Sequence, residues 1–194
     1  MAGARPGGPV QGVTSRSAWN YHDFTVRPSA ELAWEALTYM ALGAQCTIVD
    51  KANYDGSLDP VAFDRMGVAF QAARERRDLF GHRPLPRVGL WYSSRARDWY
   101  GRDNPARYNA AIWGAHRALV QAHIPMAVVT DETATPERLR ELPVLYLPGA
   151  AIIEEREARL LDDYVKAGGR LLATGVTGMY DRMGNPSPRC ALEE

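Results

Sequence analysis

Polar side chains follow a short apolar run at the place where a buried strand should end. The run Cys46–Val49 is apolar and β-branched, and Asp50, Lys51, Asn53 and Tyr54 come soon after it. Carboxylate, ammonium, amide and phenol groups then stand together in one loop before the next helix. This order is typical of the substrate-facing loops of an α/β barrel, which follow the carboxyl ends of its strands. Too little chain precedes the loop to complete a barrel, so we expect the tail of a larger enzyme.

The same residues also fit purely structural roles. Asp50 could pair with the neighbouring Lys51, and residues 53–56 (Asn-Tyr-Asp-Gly) have the composition of a tight turn. Asp59 precedes Pro60, and this pair fits a helix N-cap and first helical position with no further function. Both interpretations stay open at this point.

The elements around the loop indicate two βα units. Residues 1–16 are rich in glycine and proline and are expected to form a flexible N-terminus. Ser29 is the expected N-cap of a helix that Gly43 ends, and residues 45–50 form a strand. The helix that begins at Asp59 is expected to turn inward Phe63, Met66, Val68 and Phe70.

A second region begins after a linker at residues 82–86, where prolines interrupt both periodicities. Strands are expected at Arg87–Tyr92, Pro125–Thr130, Pro143–Leu147 and Arg170–Thr174, with helices after Asn104-Pro105, after Thr135-Pro136 and from about Glu154 to Ala167. On the last helix, Leu160, Leu161, Tyr164 and Val165 are the expected buried residues. Alternating strands and helices predict right-handed crossovers and a parallel sheet covered on both faces, as in a flavodoxin-like domain.

Composition narrows the possible partners. The chain has 194 residues, 46% of them apolar, and 23 basic side chains balance 23 acidic ones. A balanced charge argues against nucleic acid or an anionic membrane as a partner, and no apolar run approaches the ~18 residues that span a bilayer. Cys46 and Cys190 do not form a disulfide framework, so we expect reduced thiols and a cytoplasmic location.

Several local patterns of residues 17–81 resemble the last two βα units of a glycoside hydrolase (β/α)8 barrel. The patterns are Ser17-Ala-Trp-Asn-Tyr21, Ser29-Ala-Glu-Leu32, Gly43-Ala-Gln-Cys-Thr-Ile-Val-Asp50 and Asp55-Gly-Ser-Leu-Asp59. They are similar to α-L-fucosidases and to the hypothetical glycosyl hydrolases related to them. In those enzymes a tryptophan-bearing strand, a helix, a second strand and an Asp-Gly loop close the barrel.

Residues 87–194 resemble the β-galactosidase trimerisation domain of family-42 enzymes, which has the class I glutamine amidotransferase fold. Val144-Leu-Tyr-Leu-Pro-Gly149, the helix 160–167 and Gly168-Gly-Arg-Leu-Leu-Ala-Thr-Gly175 carry this resemblance. Together the two resemblances imply a barrel end followed by an incomplete amidotransferase-like, flavodoxin-like domain. They also imply a homo-oligomer, a trimer in the family resembled.

The barrel resemblance implies that the intact enzyme hydrolyses a glycosidic bond of a carbohydrate substrate without a cofactor. It places Trp19 and His22, together with Asp50, Lys51, Asn53 and Tyr54, at the mouth of the active site as substrate-binding residues. Trp19 could instead pack inside the barrel. Neither catalytic carboxylate can be assigned to a residue of this chain, so the chain alone is expected to be inactive.

The amidotransferase-like domain is expected to be non-catalytic. Such enzymes need a cysteine on a strained turn together with an activating histidine. No cysteine lies between Leu147 and Met179, the turn position carries Thr174-Gly175, and no histidine follows Cys190. The domain would then serve oligomerisation.

Two further groups of residues have competing interpretations. His116 and His123 lie seven positions apart, whereas helical zinc sites use a spacing of four, so we expect surface histidines and no metal site. Trp91, Tyr92, Trp99 and Tyr100 are expected to pack the core, with a subunit contact beside Arg95, Arg97 and Arg102 as the alternative. A binding or oligomerisation module without glycosidase activity, or a small amidotransferase-like enzyme, are the other hypotheses for the chain.

Overall fold

The computed structural model describes residues 8–18, 24–82 and 84–193. Among these residues the chain divides into two compact units, 8–82 and 84–193. Both units consist of helices and parallel strands.

Residues 8–82 form two consecutive βα units. Strand β1 spans Gln11–Ser15 and helix α1 spans Ser29–Ala41, then β2 spans Gln45–Val49 and α2 spans Pro60–Glu75. The two strands pair in parallel, with Gln11 opposite Gln45 and Ser15 opposite Val49. A short 3-10 turn at Arg77–Leu79 follows α2.

The first strand corrects the prediction of a flexible N-terminus for residues 11–16, whereas residues 1–7 lie outside the described part of the chain. Gln11–Ser15 pair with β2 along their whole length, and Gly12 packs against the ring of Tyr39 so closely that a Cβ there would lie 2.3 Å from it. The Gly/Pro content of the segment hid this short strand, because glycine usually weakens strands and here permits a close approach. The strand of the βα unit therefore lies ahead of the predicted tryptophan-bearing segment.

Helix α1 is tied to β1 by a charged cluster. Arg27 Nη2 lies 2.8 Å from Glu31 Oε1 and 2.7 Å from Glu35 Oε1, and Thr14 Oγ1 donates to Glu35 Oε2 at 2.5 Å. Arg27 lowers the pKa of the Glu35 carboxyl below its usual range. On its other side α1 buries Leu32. The helix is thus fixed by a charged contact and an apolar one.

Helix α2 begins at the expected residue, but its buried face differs from the predicted one. Asp59 Oδ1 accepts hydrogen bonds from the Val61 and Ala62 amides, which is an N-cap. The buried residues of α2 are Ala62, Met66, Ala69 and Ala73, whereas Phe63, Val68 and Phe70 are exposed. The prediction that these three turn inward was therefore wrong, because the buried face of α2 is formed by residues at i, i+4, i+7 and i+11, three of which are alanines.

Residues 84–193 form a four-stranded parallel sheet with helices between the strands. The order along the chain is β3 (Val88–Tyr92), α3 (Ala106–Gln121), β4 (Met126–Thr130), α4 (Pro136–Arg140), β5 (Val144–Pro148), α5 (Glu155–Lys166) and β6 (Arg170–Thr174). The spatial order is β4-β3-β5-β6. The strand order matches the start of a flavodoxin-like sheet, so the predicted α/β class is confirmed.

The core of this unit lies where the sequence periodicity indicated. Helix α3 buries Tyr108, Ile112, Ala115 and Leu119, which recur at helical spacing. Helix α5 buries Leu161 and Tyr164 but leaves Val165 exposed, contrary to prediction, and it buries Glu157 instead. Glu157 faces inward because it contacts Arg95, so this charged contact sets the orientation of α5.

Candidate functional site

The parallel pairing of β1 and β2 brings two charged side chains together at their carboxyl ends. Ser15 is paired with Val49, so the next residues, Arg16 and Asp50, lie side by side. The Arg16 amide donates to the Val49 carbonyl at 3.0 Å, which extends the ladder by one residue. Arg16 Nε lies 2.5 Å from Asp50 Oδ1. Asp50 therefore pairs with Arg16, and not with Lys51 as the structural alternative had it. Arg16 lies in the segment that was predicted to be a flexible N-terminus.

Arg16 also reaches the start of α2. Its Nη1 lies 3.1 Å from Asp59 Oδ2 and 3.4 Å from the Phe24 carbonyl oxygen. The Arg16 side chain is only 2% exposed and that of Asp50 9%, so the cluster is desolvated. Asp59 is thus both an N-cap and a counter-ion, which corrects the prediction that it serves as a cap alone.

One donor and one acceptor of this cluster have no partner. Arg16 Nη2 and Asp50 Oδ2 are buried, and neither makes a hydrogen bond in the described structure. A buried polar group without a partner costs about 1–3 kcal/mol. The two side chains therefore meet through one nitrogen and one oxygen, and not through the two-pronged pairing that arginine and carboxylate usually make.

Lys51 is held against two aromatic rings beside this cluster. Its Nζ lies 4.7 Å from the centre of the Phe24 ring and 5.8 Å from the centre of the Tyr54 ring. The two rings are 6.1 Å apart and inclined by 48°. Tyr54 is 95% exposed, so its ring is available to a molecule from solvent. Cation–π contacts of this kind orient an ammonium group while leaving it accessible.

Asn53 takes part in a closed turn. Its amide nitrogen donates to the Ser57 carbonyl at 2.8 Å, and its side-chain Nδ2 donates to Ser57 Oγ at 3.0 Å. Asp55 Oδ1 accepts from the Ser57 amide and hydroxyl. Residues 53–56 therefore form the turn that the structural interpretation predicted. The turn holds Lys51 and Tyr54 in position.

The structure brings together only part of the predicted site. Asp50, Lys51, Asn53 and Tyr54 lie in one loop, whereas Trp19 and His22 lie outside the described residues. Two residues of the cluster, Arg16 and Phe24, were not among the predicted site residues. Phe24 follows closely on the Ser17-Ala-Trp-Asn-Tyr21 pattern. Arg16 could be placed only from β1 and its register.

In residues 84–193 the turn after β6 is a structural junction. Thr177 Oγ1 lies 2.9 Å from the Leu147 carbonyl oxygen and 2.8 Å from that of Thr174, and it accepts from the Ala150 amide at 3.2 Å. The exposed Thr174 hydroxyl contacts the Tyr146 hydroxyl. The Cys190 thiol points to the Thr177 carbonyl at 3.7 Å. These groups join neighbouring turns, and none of these contacts is a thiol–imidazole pair of the kind that activates a nucleophile.

The aromatic residues near β3 pack mainly inside the unit. Trp91 is fully buried, Tyr92 lies edge-on to Tyr108, and the ring centres of Tyr100 and Tyr180 are 4.6 Å apart. Trp99 is partly exposed. The core-packing interpretation therefore applies to three of the four predicted aromatics.

A buried charged cluster connects the loop after β3 to α5. Arg95 contacts Glu157, and it lies 3.9 Å from Asp131 and 3.6 Å from Glu154. The Glu154 amide donates to Glu157 Oε2 at 2.8 Å, and the Ser93 hydroxyl donates to Asp131 Oδ2 at 3.0 Å. Burial raises the pKa of Glu157, and Arg95 opposes this rise in part. This cluster explains why α5 turns Glu157 inward.

A groove of about 640 Å³ lies on the opposite side of β3, lined by residues of α3, β3 and β4. It is mainly apolar, and Trp113 on α3 stands at it with 73% of its surface exposed. An exposed tryptophan beside an apolar groove is unusual for a surface without a partner. His116 also lines the groove.

Within the described residues, no group of three or more His, Cys, Asp or Glu side chains is placed to hold a metal ion. No helix in that part of the chain is long and apolar enough to cross a membrane.

A family model matches most of the second unit. Residues 95–189 match the model of the family described as GLMA-like, second domain. The match covers β4, β5 and β6 and the helices between them, and it begins at Arg95, just after β3. No curated protein matches the chain in sequence.

Solved structures share the fold of nearly the whole chain. An α-L-fucosidase isoenzyme 2 from Paenibacillus thiaminolyticus matches 88% of the chain with a TM-score of 0.74 and 21% identity. β-Galactosidases from Bacillus circulans sp. alkalophilus and from Rahnella sp. R3 match 95% and 96% of it, with TM-scores of 0.72 and 0.71 and identities of 16% and 17%. The chain spans 25% of the fucosidase and 30% of each β-galactosidase. The predicted resemblance to a glycosidase barrel end followed by a β-galactosidase trimerisation-like, amidotransferase-like domain is thus confirmed as a likeness of fold.

Proposed function

We propose that the chain forms part of a glycoside hydrolase. Residues 8–82 would supply two βα units and substrate contacts to its barrel, and residues 84–193 would form a non-catalytic oligomerisation domain joined by the linker at 82–86. The observation that carries the proposal is that both parts occur, in this order, in structures titled α-L-fucosidase and β-galactosidase. Fold alone does not fix activity, so the site must supply the rest of the argument.

The site supports substrate contact better than catalysis. Glycosidases use two carboxylates that face the scissile bond from opposite sides. Here Asp50, at the end of β2, and Asp59, the N-cap of α2, both turn their carboxylates toward the guanidinium of Arg16. The loop they hold presents an ammonium group and an exposed phenol ring to solvent. Saccharides are bound through ring stacking and hydrogen bonds of this kind, and Trp19 and His22 stay predicted members of the same site.

The purified 194-residue chain is expected to leave aryl glycosides uncleaved. The measurement is release of 4-nitrophenol from aryl β-galactoside and α-fucoside substrates, compared with buffer and with the Asp50→Asn variant. A rate indistinguishable from buffer agrees with a chain that contributes contacts and lacks the catalytic pair. Any rate above buffer would contradict the proposal, and its change in Asp50→Asn, with the fold of the variant checked by NMR, would show whether Asp50 takes part.

Self-association through the Trp113 groove is the expected property of the second unit. The groove is apolar and its tryptophan is exposed, as in the aromatic anchors of protein interfaces. Sedimentation of the chain over a range of concentrations should show oligomers, and Trp113→Glu should weaken the association by more than about tenfold. Val165→Glu, on α5, adds the same charge at another exposed apolar residue and should leave association unchanged. A monomeric wild type, or dissociation caused by Val165→Glu alone, would refute this part of the proposal.

The alternative function is a binding or oligomerisation module without glycosidase activity. The same groove favours it, because a groove of this kind serves association whatever the first unit does. Saccharide binding at the loop 50–54 separates the two hypotheses, since only the glycosidase proposal requires it.

A further inference from the structure

Among the described contacts of the candidate site, the Lys51 ammonium has only those with the Phe24 and Tyr54 rings. This ammonium lies at the apex of a triangle with the Phe24 and Tyr54 rings, at 4.7 Å and 5.8 Å from their centres. Within the described part of the chain, no carboxylate oxygen lies within ion-pair distance of Lys51 Nζ. The ammonium is therefore oriented but not neutralised.

The carboxylates nearby are already engaged. Asp50 and Asp59 contact Arg16. Asp55 turns back to the Ser57 amide and hydroxyl of its own turn. A loop whose anionic groups have partners and whose one ammonium has none is suited to an anionic ligand, because the ligand then supplies the missing charge.

The surroundings of the ammonium also define the shape of the ligand. Tyr54 is 95% exposed and Phe24 is partly exposed, so two ring faces flank the charge at an angle of 48°. Flat apolar faces next to a cation fit a molecule that carries C–H surfaces and an acidic group on one ring. A sugar acid has both features, whereas a free inorganic anion has only the charge.

We propose that Lys51 binds the anionic substituent of an acidic saccharide, such as the carboxylate of a uronic acid, with the Phe24 and Tyr54 rings beside the sugar ring. This inference rests on the proposed carbohydrate contact of the loop 50–54 and specifies its substrate class. Because the charge pair is solvent-accessible, its contribution to binding is modest and depends on salt.

The test compares two sugars that differ only at C6. D-Galacturonate carries a carboxylate there, and D-galactose carries a hydroxymethyl group. The chain has two lysines, Lys51 and Lys166, so 13C-labelled lysine gives two sets of NMR signals and an internal reference. We expect D-galacturonate to shift the Lys51 signals, to leave those of Lys166 unchanged, and to bind about fivefold more tightly than D-galactose at low salt.

Lys51→Gln should abolish this preference without abolishing D-galactose binding, and the control Lys166→Gln, which removes the same charge from α5, should preserve it. Equal binding of both sugars by the wild type, or a preference that persists in Lys51→Gln, would overturn the acidic-saccharide inference and leave the carbohydrate contact intact. Binding of neither sugar near residues 50–54 would overturn the contact itself and the inference with it. A shift caused equally by acetate would show that the charge alone is recognised, which also overturns the inference.

Discussion

Replacing Arg16 by methionine is expected to lower the free energy of unfolding of residues 8–82 by about 3–5 kcal/mol. The guanidinium is buried and pairs both with Asp50, at the end of β2, and with Asp59, at the start of α2. Its removal leaves the Asp50 carboxylate nearly buried without a counter-charge, which is the costly way to break a buried ion pair. The loss would exceed the contribution of any exposed pair in the same unit.

The measurement is urea unfolding followed through NMR cross-peaks of residues 8–82, because the two units need not unfold in one step. Arg76→Met is the matched control, since Arg76 pairs with Glu75 at the surface and its loss should cost less than about 1 kcal/mol. Equal losses for Arg16→Met and Arg76→Met would contradict the structural role given to Arg16.

A second substitution separates the ion pair from the packing. Asp50→Asn in the Arg16→Met background removes the unpaired charge and keeps the oxygen that accepts from the Lys51 amide at 2.7 Å. The double variant is therefore expected to regain more than half of the loss, and the double-mutant cycle gives the coupling between the two side chains. No recovery would mean that the arginine acts through its bulk.

The Arg95→Met variant is expected to destabilise residues 84–193 by about 3 kcal/mol at neutral pH. The side chains of Glu157 and Asp131 are 5% and 2% exposed, and both lie next to Arg95. Arg95 itself is 30% exposed, so the lower end of the range for buried pairs applies. Arg97→Met is the control, because the partner of Arg97, Asp98, is exposed.

The loss in Arg95→Met should depend on pH with a defined sign. Burial already raises the pKa of Glu157 in the folded chain, and removal of the arginine raises it further. A carboxyl group whose pKa is raised on folding favours the folded state below its unfolded pKa, and this contribution is lost as the pH rises through the folded pKa. The deficit relative to wild type should thus be smaller at pH 5 than at pH 7.5.

Glu157→Gln provides the check on this assignment. In the Arg95→Met background the amide keeps an acceptor for the Glu154 amide hydrogen and cannot carry the charge. The pH dependence of the deficit should then disappear. A deficit that stays constant between pH 5 and 7.5 in Arg95→Met alone would exclude Glu157 as its source.

The sequence predicted the second unit more completely than the first, for a physical reason. Its strands are continuous apolar runs and its helices carry caps and regular spacing, as with Thr135-Pro136 before α4 and the four buried residues of α3. Such runs predict strands covered on both faces. This prediction describes β3, which is almost fully buried, whereas β6 at the edge of the sheet is mostly exposed. The exception was Val165, which gave way to Glu157 because a contact with Arg95, far away in sequence, decided the orientation of α5.

The first unit shows which information a local pattern lacks. β1 was missed because Gln11–Ser15 is short, contains glycine and gains its stability from pairing with β2. Once β1 was missed, Arg16 could not be placed beside Asp50. The loop 50–54 could be predicted, because a strand followed by polar and aromatic residues is a local pattern. The partner of each polar group depends on the register of β1 and β2, which a local pattern does not contain.

The strand order of the second unit also has a consequence during synthesis. β3 is made first, yet its neighbours β4 and β5 end only at Thr130 and Pro148. Parallel strands cannot close onto each other through a tight turn. At ribosomal rates of 5–20 residues per second, β3 with Trp91 would therefore wait roughly 2–8 s for its first partner. Nascent chains of this protein should be bound by chaperones during that interval. A chain stalled with β3 outside the ribosome and β4 still inside it should be more susceptible to proteases than one stalled after β6 has emerged.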